Sequence, residues 1–199
     1  MSHITLAITK PSEGYELLDS GDGEKLERYG NVIFRRPDPQ ALWDKHLSSD
    51  EWSRAHASFS REGKKGDWNL AKGVPERWYI EFSGLKFWIR PTSFKHTGLF
   101  QEQSANWDWM RDKIRKRGDG VRVLNLFGYT GGASLACAQA GASVVHVDGS
   151  KVAIQWGKDN AKISGLEDKP IRWILDDARA FVKREIKRGN KYDGILLDP

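Results

Sequence analysis

One cysteine is present in 199 residues. That excludes a disulfide framework, and a lone thiol fits a reducing compartment such as the cytoplasm. No apolar run approaches the about 20 residues that span a bilayer. The opening MSHITLAITK lacks the charged-then-apolar layout of a secretory signal. The five histidines (His3, His46, His56, His96, His146) and Cys137 show no metal-ligand spacing. Two nucleotide signatures are missing as well. There is no GxGxxG for a dinucleotide pyrophosphate, and no glycine turn runs into the GK[ST] of a P-loop. Repeats and low-complexity tracts are also absent.

What the chain does have is concentrated between Val121 and Asp148, VRVLNLFGYTGGASLACAQAGASVVHVD. A β-branched apolar run meets a turn bearing Gly128, Gly131 and Gly132. A small-residue helix follows, then Gly141, then a second apolar run ending in Asp148. Strand, tight turn, helix, strand, acid is the opening βαβ unit of a nucleotide-type α/β sheet. Glycine lets backbone approach a ligand where a Cβ would clash. A carboxylate at the tip of the second strand can accept from both hydroxyls of a ribose. The turn therefore predicts an adenosine-containing cofactor. Without a pyrophosphate or P-loop signature, the adenosyl ligand that remains is S-adenosylmethionine. Tyr129 and Thr130 suit its uncharged ribose and its methionine part. The plainer readings are a generic glycine turn and, for Asp148, a helix N-cap, a job Ser150 can also do.

Four ordered segments carry a family resemblance: NLFGYTGG, VDGSKVAIQWGKDNAKISGL, DDARAFV and YDGILLDP. They resemble the class I S-adenosylmethionine-dependent methyltransferases. More narrowly, the chain resembles the 23S ribosomal RNA methyltransferase family, whose members methylate cytosine carbon 5 or a guanine nitrogen. Asn125, Phe127, Tyr129, Thr130 and Gly131 match the family's N-x-F-x-Y-T-G turn, with Gly128 inside it. Asp148, Ser150 and Ala153 match its V-D-x-S-x-x-A step, with Asn160 further along. Asp177, Ala178 and Phe181 match D-A-x-x-F, and Asp198 and Pro199 match the start of D-P-P. Ahead of the sheet, Thr97 to Gln103 match T-G-x-F-x-x-Q, although Glu102-Gln103-Ser104 stands where the family usually has Asp-Gln-Arg.

The resemblance implies a cofactor site that includes Phe100, Gln103, Asn125, Phe127, Gly128, Tyr129, Thr130, Gly131, Asp148, Ser150 and Asp177. It puts the adenine amino contact on Asp177, with Asp176 second. It further implies that Asp198 and Pro199 line the target-base pocket as catalytic residues, and that RNA, ribosomal in kind, is the partner. Adjacent acids also suit N-capping of the helix after them.

Strands at 121–127, 143–148, 170–175 and 193–198 alternate with helices. They predict part of a doubly wound, Rossmann-like α/β sheet within a domain of residues 96–199. The chain stops at Pro199, where the resemblance places the catalytic loop. The expectation is therefore a fragment, inactive alone, with one sheet edge uncovered. Residues 1–95 predict a smaller β-rich domain. YELLDSGDGEKLERYGNVIFRRP reads as strands about a Ser-Gly-Asp-Gly turn. Asp38 and Pro39 read as the start of a helix through Leu47. RWYIEFSGLKFWIRP reads as a hairpin about Ser83-Gly84, and the polar SREGKKGDWNLAKGVPER before it as a loop. Residues 101–117 predict an amphipathic helix with a basic end, which suits its C-terminal dipole.

Net charge is +5 and nine tryptophans are present, seven of them before residue 110. Aromatic rings among cations such as Lys72, Arg77, Lys86 and Arg90 can clamp single-stranded RNA. Core packing accounts better for most of them, with Trp68 the candidate for exposure. Cys137, on the small-residue helix, reads as packing rather than as a nucleophile. The rival functions are a nicotinamide oxidoreductase, a methyltransferase of protein or small molecules, and a non-catalytic RNA-binding module.

Overall fold

The computed structural model describes residues 8–62 and 65–198; the first seven residues, Gly63, Lys64 and Pro199 lie outside the described residues. The chain divides into two compact units, residues 10–99 and residues 100–198, the latter joined by residues 8–9.

The first unit is a five-stranded sheet of β1 (Tyr15–Gly21), β2 (Glu24–Tyr29), β3 (Val32–Pro37), β4 (Ala57–Glu62) and β5 (Lys65–Leu70), in that order. Neighbours are antiparallel except β3 and β4, which run parallel. The helix α1 (Ser49–Ser53) precedes β4 and opens on a capping box between Ser48 and Glu51. A separate ribbon pairs β6 (Trp78–Phe82) with β7 (Leu85–Ile89) about Ser83 and Gly84, both at positive φ, as a two-residue hairpin turn demands. Period-two alternation builds the interior, as in β3, where Val32, Phe34 and Arg36 are buried. Tyr15, Tyr29 and Phe34 pack edge to face, with centroids 5.1 and 5.4 Å apart.

Among these rings lies a buried ion pair. Glu27 is fully buried, and its carboxylate accepts from Arg36 Nε at 2.8 Å and from Tyr15 Oη at 3.0 Å. Arg36 also donates to the Lys95 carbonyl at 2.9 Å and to Tyr29 Oη at 3.0 Å. Burial alone would lower the Arg36 pKa, but Tyr29 and Glu27 hold it above its ordinary value.

Three sequence expectations fail in this unit, each for a long-range reason. Residues 38–47 form no helix. The Ala41 and Trp43 carbonyls accept from Gly23 and Asp22, and the Asp19 carboxylate accepts from the His46 and Leu47 amides at 3.1 and 2.9 Å. Pairing with the β1–β2 turn thus outweighs the local start signal. The polar stretch after Phe59 is largely strand rather than loop, because β4 and β5 form an antiparallel pair. Trp68 stands directly opposite Phe59 in that pair and also packs on Phe34. It is therefore half-buried, and its indole donates to the Thr92 carbonyl at 2.7 Å. The openly exposed tryptophans are Trp43 and Trp109.

In the second unit a 3₁₀ turn (Gln101–Gln103) leads into α2 (Ser104–Arg117), whose last turn carries Arg115, Lys116 and Arg117. The chain then alternates through β8 (Arg122–Leu126), α3 (Gly132–Gln139), β9 (Ser143–Asp148), α4 (Lys151–Ile163), β10 (Ile171–Leu175), α5 (Ala178–Lys187) and β11 (Gly194–Leu197). The four strands are parallel in the order β10-β9-β8-β11. This is the mixed α/β architecture expected, an open parallel sheet that follows a β-rich first part in sequence. Alternate residues of β8 face opposite ways. Val123 packs with Ile114 of α2 and with Cys137 and Ala138 of α3, while Leu124 and Leu126 pack with Ala178 and Phe181 of α5. No described helix is long and apolar enough to cross a membrane.

Candidate functional site

In this strand order β8 and β11 are neighbours, while the connection from β8 leads away to β9. The crevice outside the carboxyl ends of such strands, at the point where the order reverses, is where ligands settle in open α/β sheets. Every strand delivers polar or aromatic groups there. β8 runs into residues 127–131, β9 ends on Asp148, β10 is followed by Asp176 and Asp177, and β11 by Asp198.

The turn after β8 is strained and clamped. Phe127 and Tyr129 adopt φ of 55° and 50°, and Gly131 one of 93°. Left-handed backbone costs a non-glycine residue about 1–3 kcal/mol, so something must hold it. The Gly128 amide donates to the Val147 carbonyl at 3.0 Å. The Tyr129 amide donates to Asp148 Oδ2 at 2.8 Å, and Ser150 N donates to Asp148 Oδ1 at 2.7 Å. Asp148 thereby ties the turn to the start of α4 and keeps further acceptor capacity on each oxygen. Phe127 and Phe100 are both open to solvent, and the Phe100 and Tyr129 rings stand 5.3 Å apart.

Beneath the turn lies a buried polar brace. Asn125 Nδ2 donates to Ser134 Oγ at 2.9 Å, and Ser134 Oγ lies 2.9 Å from His146 Nδ1. Asn160 Nδ2 donates to the Thr130 carbonyl at 3.0 Å. The His146 ring packs on Trp173 at 4.5 Å, and its Nε2 has no partner among the described residues. A Cβ on Gly128 would come within 2.3 Å of the His146 ring, so glycine is required here by the imidazole below. Asn125 and Thr130 are thus buried supports of the turn, whereas Phe127 and Tyr129 sit at its open side.

Burial pushes the His146 pKa down to about 4, against the pull of the neighbouring Asp148 carboxylate. The imidazole is neutral in the fold and ordinary in the unfolded chain. Its contribution is complete above an unfolded pKa of 6.5 and is lost as pH falls through about 4. About 2 kcal/mol should disappear through this group between pH 7.5 and pH 5. Urea midpoints at the two pH values check this against His146→Gln, which should show a smaller loss by that amount. Equal losses in both proteins would remove His146 from the account.

The remaining acids have partners. Asp177 caps α5, accepting from the Ala180 amide at 2.8 Å, and Ser150 caps α4, accepting from Ala153 N at 3.2 Å. Asp176 pairs with Arg184. Asp198 Oδ2 accepts from Gln103 Nε2 at 3.1 Å, while Gln103 Oε1 accepts from Asn106 at 2.7 Å. That contact joins two residues 95 apart in sequence. Pro199 lies outside the described residues. Cys137 is buried and its thiol is pushed up to about 12 by burial, which leaves it inert. No metal-binding cluster occurs among the described residues. His146, Ser134 and Trp173 were missed by sequence reasoning. The one available signal was a lone histidine inside the apolar run SVVHV.

Carboxylates and aromatic rings, rather than a lysine-bearing phosphate loop, surround this crevice. Such a set suits an uncharged nucleoside carrying a positive sulfur and an ammonium group, and it disfavours pyrophosphate.

Comparison with known proteins agrees. The chain resembles the crystal structure of a SAM-dependent methyltransferase from Agrobacterium tumefaciens at 45% identity and a TM-score of 0.89, over 94% of this chain and 60% of that one. It is 37% identical over 117 residues to the ribosomal RNA large subunit methyltransferase K/L of Shewanella baltica, covering 58% of this chain and 16% of that protein. It is 25% identical over 197 residues to the ribosomal RNA large subunit methyltransferase K of Neisseria meningitidis, covering 90% of this chain and 52% of that protein. The chain thus spans about half, or less, of the length of these curated relatives. Residues 55–199 match the family model described as S-adenosylmethionine-dependent methyltransferase. The chain belongs to the S-adenosylmethionine-dependent methyltransferase family.

Proposed function

We propose that the protein transfers a methyl group from S-adenosylmethionine to a base of ribosomal RNA, working in the cytoplasm. The clamp of Tyr129 and Ser150 amides on Asp148 is the observation that supports the cofactor part most. It fixes a carboxylate at the tip of the second parallel strand, with lone pairs left for a ribose. Asp177 uses one oxygen to cap α5, and its other oxygen accepts from the adenine amino group. Phe100, Phe127 and Tyr129 supply apolar walls that exclude water. Asn125 and Thr130 act through the turn they brace. Gly128 and Gly131 give the turn its shape, and Ser150 orients Asp148. The bound cofactor supplies an electrophilic methyl on a positive sulfur that leaves as a neutral thioether. The chain's own task is to position and desolvate the reactants. Gln103 holds Asp198 at the end of β11, where its carboxylate accepts from a base amino group; Pro199 shapes the same pocket by family likeness.

The names of the relatives and the net charge of +5 support RNA as the substrate. The test is a tritiated-methyl assay of the intact protein, offered ribosomal RNA and bulk protein in parallel, with a salt series on RNA binding. Label should enter RNA, and affinity should fall steeply as salt rises. Label in protein alone, with RNA binding weak and flat in salt, would promote the protein-substrate reading instead.

A further inference from the structure

We propose that the outer face of the β6–β7 ribbon is a stacking surface for an unpaired base of the RNA. This rests on the RNA reading above and gives it a place in the first unit. The ribbon's inner face is spent on the core, since Ile80, Phe82, Leu85, Phe87 and Ile89 are each at most 4% exposed. Alternation then sends Tyr79, Glu81, Lys86 and Trp88 to the opposite face. Tyr79 and Trp88 are direct cross-strand partners, with ring centroids 5.9 Å apart and planes at 83°. The Arg77 guanidinium lies 3.8 Å over the Trp88 ring, and the Lys86 ammonium lies 5.7 Å from the centre of Tyr79. Tyr79 is 54% exposed, and Arg77 is exposed beside it.

A face that only had to be soluble would carry short polar and charged side chains. This one holds two large rings, each with a cation near it. Arg77 and Lys86 bring positive charge to these rings, and the Glu81 carboxylate lies 3.3 Å from Lys86. Unpaired bases stack on aromatic rings and on guanidinium planes, and phosphates are drawn to the cations between them. A base in a duplex keeps both of its faces buried in the stack, so the surface selects single-stranded RNA. A cation-bearing aromatic face fits this polyanion with exposed π-faces better than it fits an apolar protein patch.

The test is fluorescence anisotropy of the intact protein with a fluorescein-labelled single-stranded RNA of mixed sequence, about a dozen nucleotides long. A blunt duplex of the same sequence is the second arm. Tyr79→Ala should weaken single-strand binding by about 5- to 100-fold, the range expected for one lost base stack. Tyr79→Phe keeps the ring and should stay within about twofold of wild type. Duplex binding and affinity for S-adenosylhomocysteine should not change in either variant. Arg77→Gln, which leaves both rings in place, should weaken single-strand binding and flatten its salt dependence. It carries the test if Tyr79→Ala melts early. Wild-type RNA affinity in Tyr79→Ala and Arg77→Gln would overturn the proposal, assign the face to a protein contact, and leave the RNA reading standing. A loss in Tyr79→Phe as large as in Tyr79→Ala would overturn stacking. An absence of RNA binding by the unaltered protein would remove the RNA reading and this surface together.

Discussion

Asp148→Ala is expected to weaken binding of S-adenosylhomocysteine by about 100-fold, or about 3 kcal/mol. Two losses combine. The ribose loses a charged acceptor, and the amides of Tyr129 and Ser150 lose theirs, at 2.8 and 2.7 Å. The second loss matters because Phe127 and Tyr129 sit at positive φ and depend on that clamp. Asp148→Asn should fall between the two, because a carboxamide oxygen serves one amide while its NH₂ cannot accept from the other. Isothermal titration calorimetry on the three proteins gives the comparison, with circular dichroism to confirm that each is folded. Affinity within about twofold of wild type in Asp148→Ala would take this residue out of the site.

Glu27→Ala should destabilise the first unit by about 3–5 kcal/mol, the usual result of breaking a buried ion pair from one side. The Arg36 guanidinium would stay charged, buried and without its carboxylate. The hydroxyl of Tyr15, now 3.0 Å from Glu27, would lose its acceptor. Replacing both members, Glu27→Leu with Arg36→Met, should recover most of the loss, since a packed apolar pair often matches a buried ionic one. Urea unfolding followed by tryptophan fluorescence measures both. A single-variant loss below about 1 kcal/mol would show that the pair is not holding this sheet together.

The parallel sheet was legible because its signals are local. β8 to β11 are short apolar runs between turns, and they lie within one or two residues of the stretches read from sequence. The geometry of the turn was not legible. Gly128 reads as room for a ligand, whereas its missing Cβ is required by the imidazole of His146 underneath. Asn125 and Thr130 match the pattern of a binding turn, yet both are buried and support it from below. For His146 the lone histidine in SVVHV was a weak signal, because what makes it notable is Ser134, Trp173 and Gly128 around it, none of them adjacent in sequence.

The first unit was harder for the same reason. Asp38-Pro39 is a sound local start for a helix, but the carbonyls of Ala41 and Trp43 are taken by the β1–β2 turn. The stretch after Phe59 has a loop's composition. Its strand character lies in the pairing of Phe59 with Trp68, across nine positions of chain. Which tryptophans are exposed was equally hidden, since the burial of a ring depends on residues far away in sequence, as Trp68 against Phe34 illustrates.

The most direct measurement is a calorimetric titration of the intact protein with S-adenosylhomocysteine and, in parallel, with NAD. The carboxylate-lined crevice, without a pyrophosphate or P-loop signature, predicts saturable heat at one site with S-adenosylhomocysteine and none with NAD. Saturable heat with NAD, and none with S-adenosylhomocysteine, would contradict the reading of the turn and of Asp148 from which the proposed function is built.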